Sequence, residues 1–297
     1  MNVVTKYYRV AEHTFCLNAD EKWLLPLVNY APFEVDMGDD SPVFTLTAYC
    51  GGMLSAEEVA RRTPMFVDSS DEDMPRIEVY REEDAWLFRI AMVAKAPICC
   101  ELHCNAAFSE AKLYFSEEET GARFCLDNAM MLLYAFRTAS LHTLEMHAAV
   151  VVKDGQGFLF LGRSGTGKST HARQWLKAFE DAWLLNDDNP ILRVMDSGEV
   201  RVFGSPWSGK TPCYKNASAP VGAIIKLSQA PENQLRKLRL PEAYAYILSS
   251  ASGLKTEREM ADRIYETIRH VVMHTPCYHL DCLPNTDAAL VCYGERE

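Results

Sequence analysis

Apolar positions in the first 126 or so residues fall in short β-rich runs separated by turns. Val43 to Ala48, Ile77 to Tyr80, Trp86 to Val93, Lys112 to Phe115 and Phe124 to Leu126 read as strands. Ser55 to Arg62 reads as a short helix. The acidic stretch Asp68 to Asp73, between Pro64 and Pro75, and the segment Ser116 to Gly121 have the composition of solvated loops. The pattern predicts an antiparallel, β-rich N-terminal domain over residues 1–126. From Asp127 the period becomes helical, with Met130, Leu133, Tyr134, Arg137 and Leu141 on one face and Asp127 or Asn128 as N-cap. The domain junction is therefore placed at or in this helix, and a second domain is expected over 127–297.

That second domain opens with two apolar runs, Ala148 to Val152 and Phe158 to Leu161, around Lys153-Asp154-Gly155-Gln156-Gly157. Asp-Gly between β-rich runs predicts a hairpin, because a tight primed turn needs positive φ at both central residues. A helical stripe of Ala172, Trp175, Leu176 and Phe179 comes next, followed by a short strand, Trp183 to Leu185. Further along, the pattern predicts a strand over Val221 to Leu227, helices over Pro241 to Ser250 and Glu257 to His274, a strand over Cys277 to Cys282 and a final helix from about Thr286. Strands interleaved with helices make the fold class mixed α/β.

Composition narrows the functional classes. At 297 residues and 48% hydrophobic, the chain can fill two cores. Lys+Arg 30 against Asp+Glu 41 gives a net charge of −11, which repels nucleic acid and anionic bilayers. Apolar runs such as Ala129 to Phe136 fall short of the roughly 20 residues that span a bilayer, and Met1 to Phe15 holds no apolar signal segment. The expectation is a soluble cytoplasmic protein. Of the ten cysteines, three lie in Cys99-Cys100-Glu101-Leu102-His103-Cys104. Read as a strand, this run puts Ile98, Cys100, Leu102 and Cys104 on one face and Cys99, Glu101 and His103 on the other. That split argues against a metal site, and the cysteines are read as reduced, partly buried apolar residues.

The most informative residues are Gly162-Arg163-Ser164-Gly165-Thr166-Gly167-Lys168-Ser169, followed by Thr170, which fit G-x-x-x-x-G-K-[ST]. Glycines at 162, 165 and 167 let the backbone turn its N–H groups inward on phosphate oxygens. Lys168 supplies a positive charge for the β and γ phosphates, Ser169 a hydroxyl for Mg²⁺, and the following helix its positive end. The context is right: an apolar strand precedes the loop and a helix follows it.

Asp187 and Asp188 follow a buried-strand candidate and begin 187 − 168 = 19 residues after the loop lysine. Such carboxylates hold Mg²⁺ or take the proton of an attacking hydroxyl; the same residues also make good turn chemistry. Gly204-Ser205-Pro206-Trp207-Ser208-Gly209-Lys210-Thr211 is a glycine-bracketed loop in which Lys210, or Lys215 beyond it, is a candidate partner of a transferring phosphoryl group. Read blandly, it is a strand connection anchored by Trp207. His147 directly precedes the hairpin and is a further candidate.

His147-Ala148, then Gly162 to Ser169, then Asp187-Asp188, in this order and spacing, resembles the catalytic domain of HPr kinase/phosphorylase, which shares its nucleotide-binding fold with phosphoenolpyruvate carboxykinase. The resemblance covers roughly Glu145 to Leu227. It implies a P-loop domain of that type behind the β-rich N-terminal domain, with ATP and Mg²⁺ as cofactors and a protein serine or a small metabolite as acceptor. Lys168 and Ser169 would be the phosphate and Mg²⁺ groups, Asp187 or Asp188 the base, and His147 an acceptor-side or phosphate-side residue. By analogy alone, it also raises a possible homo-oligomer. The sequence departs from the family at Lys168-Ser169-Thr170, where the family has Lys-Ser-Glu. It also lacks the E-x-R-G-x-G stretch, the corresponding region reading Arg201 to Pro206. Those departures keep two alternatives open: a nucleotide-binding sensor or assembly module without transfer, and a carboxykinase-like enzyme.

Overall fold

The computed structural model describes residues 2–38, 41–68, 75–116, 119–209 and 211–294. Lys210, most of the acidic stretch Asp68 to Asp73, and residues 117–118 of the segment Ser116 to Gly121 lie outside these. The chain divides into two compact units, Met1–Arg137 and Thr138–Glu297, so the long helix that the sequence puts at the junction packs with the first. Each unit is built on a large mixed sheet, which makes the protein mixed α/β. Among the described residues no helix is long and apolar enough to cross a membrane.

In the first unit the strands are β1 (Val3–Val10), β2 (His13–Asp20), β3 (Glu34–Val35), β4 (Thr45–Cys50), β5 (Phe66–Asp68), β6 (Arg76–Arg81), β7 (Ala85–Ala91), β8 (Ile98–Asn105) and β9 (Glu110–Phe115). They lie in the order β3-β1-β2-β4-β9-β8-β7-β6-β5. The expected antiparallel sheet needs correction at its centre, where β4 runs parallel to both β2 and β9. Long connections on either side of β4 allow this, since parallel neighbours cannot be joined by a tight turn. The helices are α1 (Glu21–Leu24), α2 (Ala56–Ala60) and α3 (Glu119–Thr138). Ser55 closes a capping box with Glu58 at the start of α2.

Two sequence expectations fail in α3. Phe124 to Leu126 is not a strand, and Asp127 and Asn128 lie inside the helix rather than at its cap. Ala122, Cys125, Leu126, Ala129, Met130 and Leu133 are all buried, so the helical face starts well before Asp127. A three-residue apolar block cannot distinguish a period of 2 from one of 3.6. A third correction concerns β8. Ile90 pairs with Cys100 but Ala91 pairs with Ile98, which leaves Cys99 as the extra residue of a β-bulge. Alternation breaks there, and the sulfurs of Cys99 and Cys100 lie within 4.8 Å of each other and of Cys125.

The second unit contains β10 (Thr143–Glu145), β11 (Ala148–Lys153), β12 (Gln156–Leu161), α4 (Lys168–Ala178), β13 (Trp183–Asn186), β14 (Ile191–Val194), β15 (Val200–Phe203), β16 (Ser218–Gln229), β17 (Gln234–Lys237), α5 (Leu240–Ser250), α6 (Arg258–His274), β18 (Cys277–Cys282) and α7 (Thr286–Gly294). The sheet order is β10-β14-β15-β16-β12-β11-β13, with β18 also on β16 and β17 on β18. Asp154 and Gly155, at φ 49° and 72°, make the two-residue turn between β11 and β12. Ala149, Val151, Phe158, Phe160, Ala223 and Ile225 form one core with Trp175 of α4 and Ala289 of α7. Every residue of β11 is buried, as expected for a sheet covered on both faces.

Candidate functional site

Strand register brings the candidate residues together. β11 is antiparallel to β12 with Ala148 opposite Leu161, so His147 comes level with the start of the glycine-rich loop. β13 pairs with β11 on its other side, and the Ala148 amide donates to the Asp188 carbonyl at 2.9 Å. β16 is parallel to β12 with Lys226 opposite Leu161. His147, residues 162–167 and the acid pair therefore share one end of the sheet, at the C-terminal end of β12, with Lys226 beside them within β16.

The loop is held by its own backbone and by β16. Gly165 and Gly167 take φ +77° and +106°, the left-handed region that side chains resist. The Thr166 amide donates to the Arg163 carbonyl at 3.1 Å, and Gln229 Nε2 reaches the carbonyls of Gly165 and Thr166, both at 3.3 Å. α4 starts at Lys168 with no side-chain cap at Gly167, leaving its first-turn N–H groups directed at the loop. Ser164 is exposed, while Ser169 and Thr170 are half-buried on that first turn.

Lys168 folds back over the loop. Its Nζ donates to the Gly162 carbonyl at 3.0 Å and lies 3.0 Å from His147 Nε2, which is itself 3.4 Å from Asp188 Oδ1. Burial draws the Lys168 ammonium below its ordinary range, against the pull of Asp188 and Asp187. Burial and then Lys168 draw His147 down, opposed by Asp188. A neutral imidazole at pH 7 offers its Nε2 lone pair to the ammonium.

The acid pair is fixed from beneath by Asn186. Its Oδ1 accepts from the amides of Asp188 and Asn189, both at 2.9 Å, and its Nδ2 donates to Ser205 Oγ and the Trp207 carbonyl, both at 3.1 Å. The 204–209 loop is thereby tied to the end of β13. A Cβ on Gly209 would meet the Asp187 carbonyl at 3.1 Å and Asp188 Cβ at 3.2 Å. Trp207 is buried in this loop, and Lys215 Nζ sits over the Trp183 ring at 4.7 Å.

Asp187 is 5% exposed, and its Oδ1 has no hydrogen-bond partner among the described residues. An orphaned buried carboxylate oxygen is the donor a hard divalent cation takes, so Asp187 fits Mg²⁺, with Asp188 and the Ser169 hydroxyl as the other oxygen donors expected from sequence. Glu145 joins them. It is buried, Ser252 Oγ approaches its Oε1 at 3.4 Å, and its Oε2 has no partner among the described residues. Burial, with Asp188 adding to it, pushes its carboxyl up to about 8.

Sequence reasoning passed over Glu145, Asn186, Lys226 and Gln229. The carboxylate in Leu144-Glu145-Met146-His147 was a usable signal, since a charge inside an apolar run is either exposed or employed. The other three carry no local mark and are recruited by register alone.

A glycine-rich loop between β12 and α4, with an acid pair following β13 two strands away, lies in the mixed α/β second unit. Residues 116–285, more than half of the chain, match the family model described as SynChlorMet cassette protein ScmC, and the chain belongs to that family. No curated protein matches the sequence. Among solved structures, the HPr(Ser) kinase/phosphatase from Coxiella burnetii is a distant likeness, with 14% identity over 50% of this chain and 85% of that chain and a TM-score of 0.30.

Proposed function

We propose that the chain is an ATP- and Mg²⁺-dependent phosphotransferase acting on a hydroxyl of a protein serine or a small metabolite, with residues 138–297 as its P-loop catalytic unit. One observation carries this reading: His147 set between Lys168 and Asp188 at the mouth of the glycine-rich loop, in a chain whose Asp187 Oδ1 is buried with no hydrogen-bond partner among the described residues. Backbone amides of residues 162–168 cradle the β and γ phosphates, and Lys168 exchanges its Gly162 carbonyl for a phosphate oxygen. Asp187 and Ser169 hold Mg²⁺, which when bound offsets the negative charge shared by phosphates and carboxylates. Asp188 accepts the acceptor's proton as the hydroxyl oxygen bonds to the γ phosphorus and the bond to the β–γ bridging oxygen breaks, releasing ADP. His147 keeps Lys168 and Asp188 apart and in line.

Calorimetry with ATP and Mg²⁺, followed by ADP release in the presence of serine-containing peptides and hydroxylated metabolites, tests the proposal. Asp188→Asn is expected to lower turnover by about 10²- to 10⁴-fold while nucleotide affinity changes little. Lys168→Ala is expected to lose most of that affinity. Undiminished turnover in Asp188→Asn would remove the base. Tight binding with no ADP release on any acceptor would instead make the protein a nucleotide holder.

A further inference from the structure

The first unit carries a second cluster of chemistry, far along the chain from the phosphate loop and unused by it. The β-bulge in β8 inserts Cys99 without a cross-strand partner, so two consecutive cysteines present their sulfurs together instead of on opposite faces. Cys125, on the buried face of α3, completes a set of three sulfurs all within 4.8 Å of one another. Cys125 Sγ is 3.7 Å from Cys99 Sγ, and the Cys99 thiol also lies 3.3 Å from the Ile90 carbonyl. Cys100 and Cys125 are buried and Cys99 half-buried.

We propose that Cys99, Cys100 and Cys125 form a three-thiolate site for a divalent thiophilic d¹⁰ ion, Zn²⁺ in the first instance, with water as fourth ligand on the half-exposed Cys99 side. Zn–S bonds of about 2.3 Å in a tetrahedron hold sulfurs about 3.8 Å apart, close to the spacing already present between Cys99 and Cys125. Charge favours a divalent ion over a monovalent one: three thiolates with Zn²⁺ leave a single negative charge to bury, with Cu⁺ two. The nearby Glu101 is engaged elsewhere, by Arg89 Nε at 2.9 Å and the Leu54 amide at 2.8 Å, and is no competitor for the metal. Bulges persist where they re-aim a side chain, and this one aims a thiol at two others. Binding releases the thiol protons and leaves the sulfur oxidation state unchanged.

The test uses the full-length reduced protein, with Zn²⁺ measured by equilibrium dialysis and Co²⁺ as the optical probe. The expected result is one metal per chain and thiolate-to-cobalt charge-transfer absorption. Cys99→Ser and Cys125→Ser are each expected to weaken affinity at least about tenfold, the size of loss known for metal-site lesions. Cys104→Ser, on the same strand outside the cluster, is expected to bind as the parent does. Cys99→Ser touches the half-exposed member and serves if the buried variant fails to fold. Wild-type protein that binds no Zn²⁺ and shows no charge-transfer band overturns the proposal. So does a Cys104→Ser loss equal to that of Cys125→Ser, or a Cys99–Cys125 disulfide found by peptide mass spectrometry in protein isolated under thiol protection.

Discussion

Glu145 sits two residues before the histidine that contacts Lys168, and its buried carboxyl is held up to about 8 by desolvation and then by Asp188. Between the ordinary carboxylate value of 4.5 and about 8 the folded state binds a proton that the unfolded state has released, so this group's contribution to stability falls as pH rises through that window. Glu145→Gln is therefore expected to match the parent near pH 4 and to exceed it by a few kcal/mol near pH 8, on the order of the shift converted at about 1.4 kcal/mol per unit. Urea denaturation at both pH values checks this, and a pH-independent difference would contradict it. Asp187 is expected to act on metal rather than protons. Asp187→Asn should raise the Mg²⁺ concentration for half-maximal turnover at least about tenfold, whereas Asp188→Asn should lower turnover at saturating Mg²⁺. The sequence exposed the acid pair because two adjacent carboxylates after an apolar run are conspicuous. Glu145 escaped because its partners lie at 188 and 252, joined to it only by strand pairing.

At the scale of elements, two glycines flank the site for different reasons, and one substitution separates them. Gly165 sits at φ +77° with open space where a Cβ would project, so Gly165→Ala is expected to cost about 1–2 kcal/mol through backbone strain alone. Gly204 has ordinary φ, but a Cβ there would lie 2.0 Å from the Lys215 carbonyl oxygen. Gly204→Ala must part the backbone at 204 from that at Lys215, and is expected to loosen the 204–209 loop that Asn186 holds, at a cost of about 1–3 kcal/mol or more. Thermal denaturation reads both, and loss of Asn186 amide protection in hydrogen exchange should accompany only the second. The hairpin, the loop and α4 were legible because each depends on residues within a few positions of one another. The front half of α3 and the bulge in β8 were not. The helix was masked by a block too short to show its period, and the bulge by a one-residue slip that appears only against the partner strand.

For the whole molecule, a nucleotide at 100-fold over its Kd is expected to stabilise the unit that binds it by about 2.7 kcal/mol. Hydrogen exchange with and without ATP and Mg²⁺ should show added protection within residues 138–297, first at 162–170 and 186–188. Equal protection within residues 1–137 would mean that the nucleotide is held elsewhere. The sequence by itself determined the mixed α/β character, the Asp-Gly hairpin, the glycine-rich loop opening a helix and the acid pair, since backbone conformation and amphipathic period are short-range properties. Tertiary structure alone decided that β4 runs parallel to its neighbours, that Glu145, Lys226 and Gln229 come to the end of the sheet that carries the glycine-rich loop, and that Cys99 turns toward Cys100 and Cys125. Each of those outcomes depends on the register between strands distant in sequence. A shift of one residue reverses which face a side chain occupies, so register is fixed by the fit of whole faces in the core and not by any one segment.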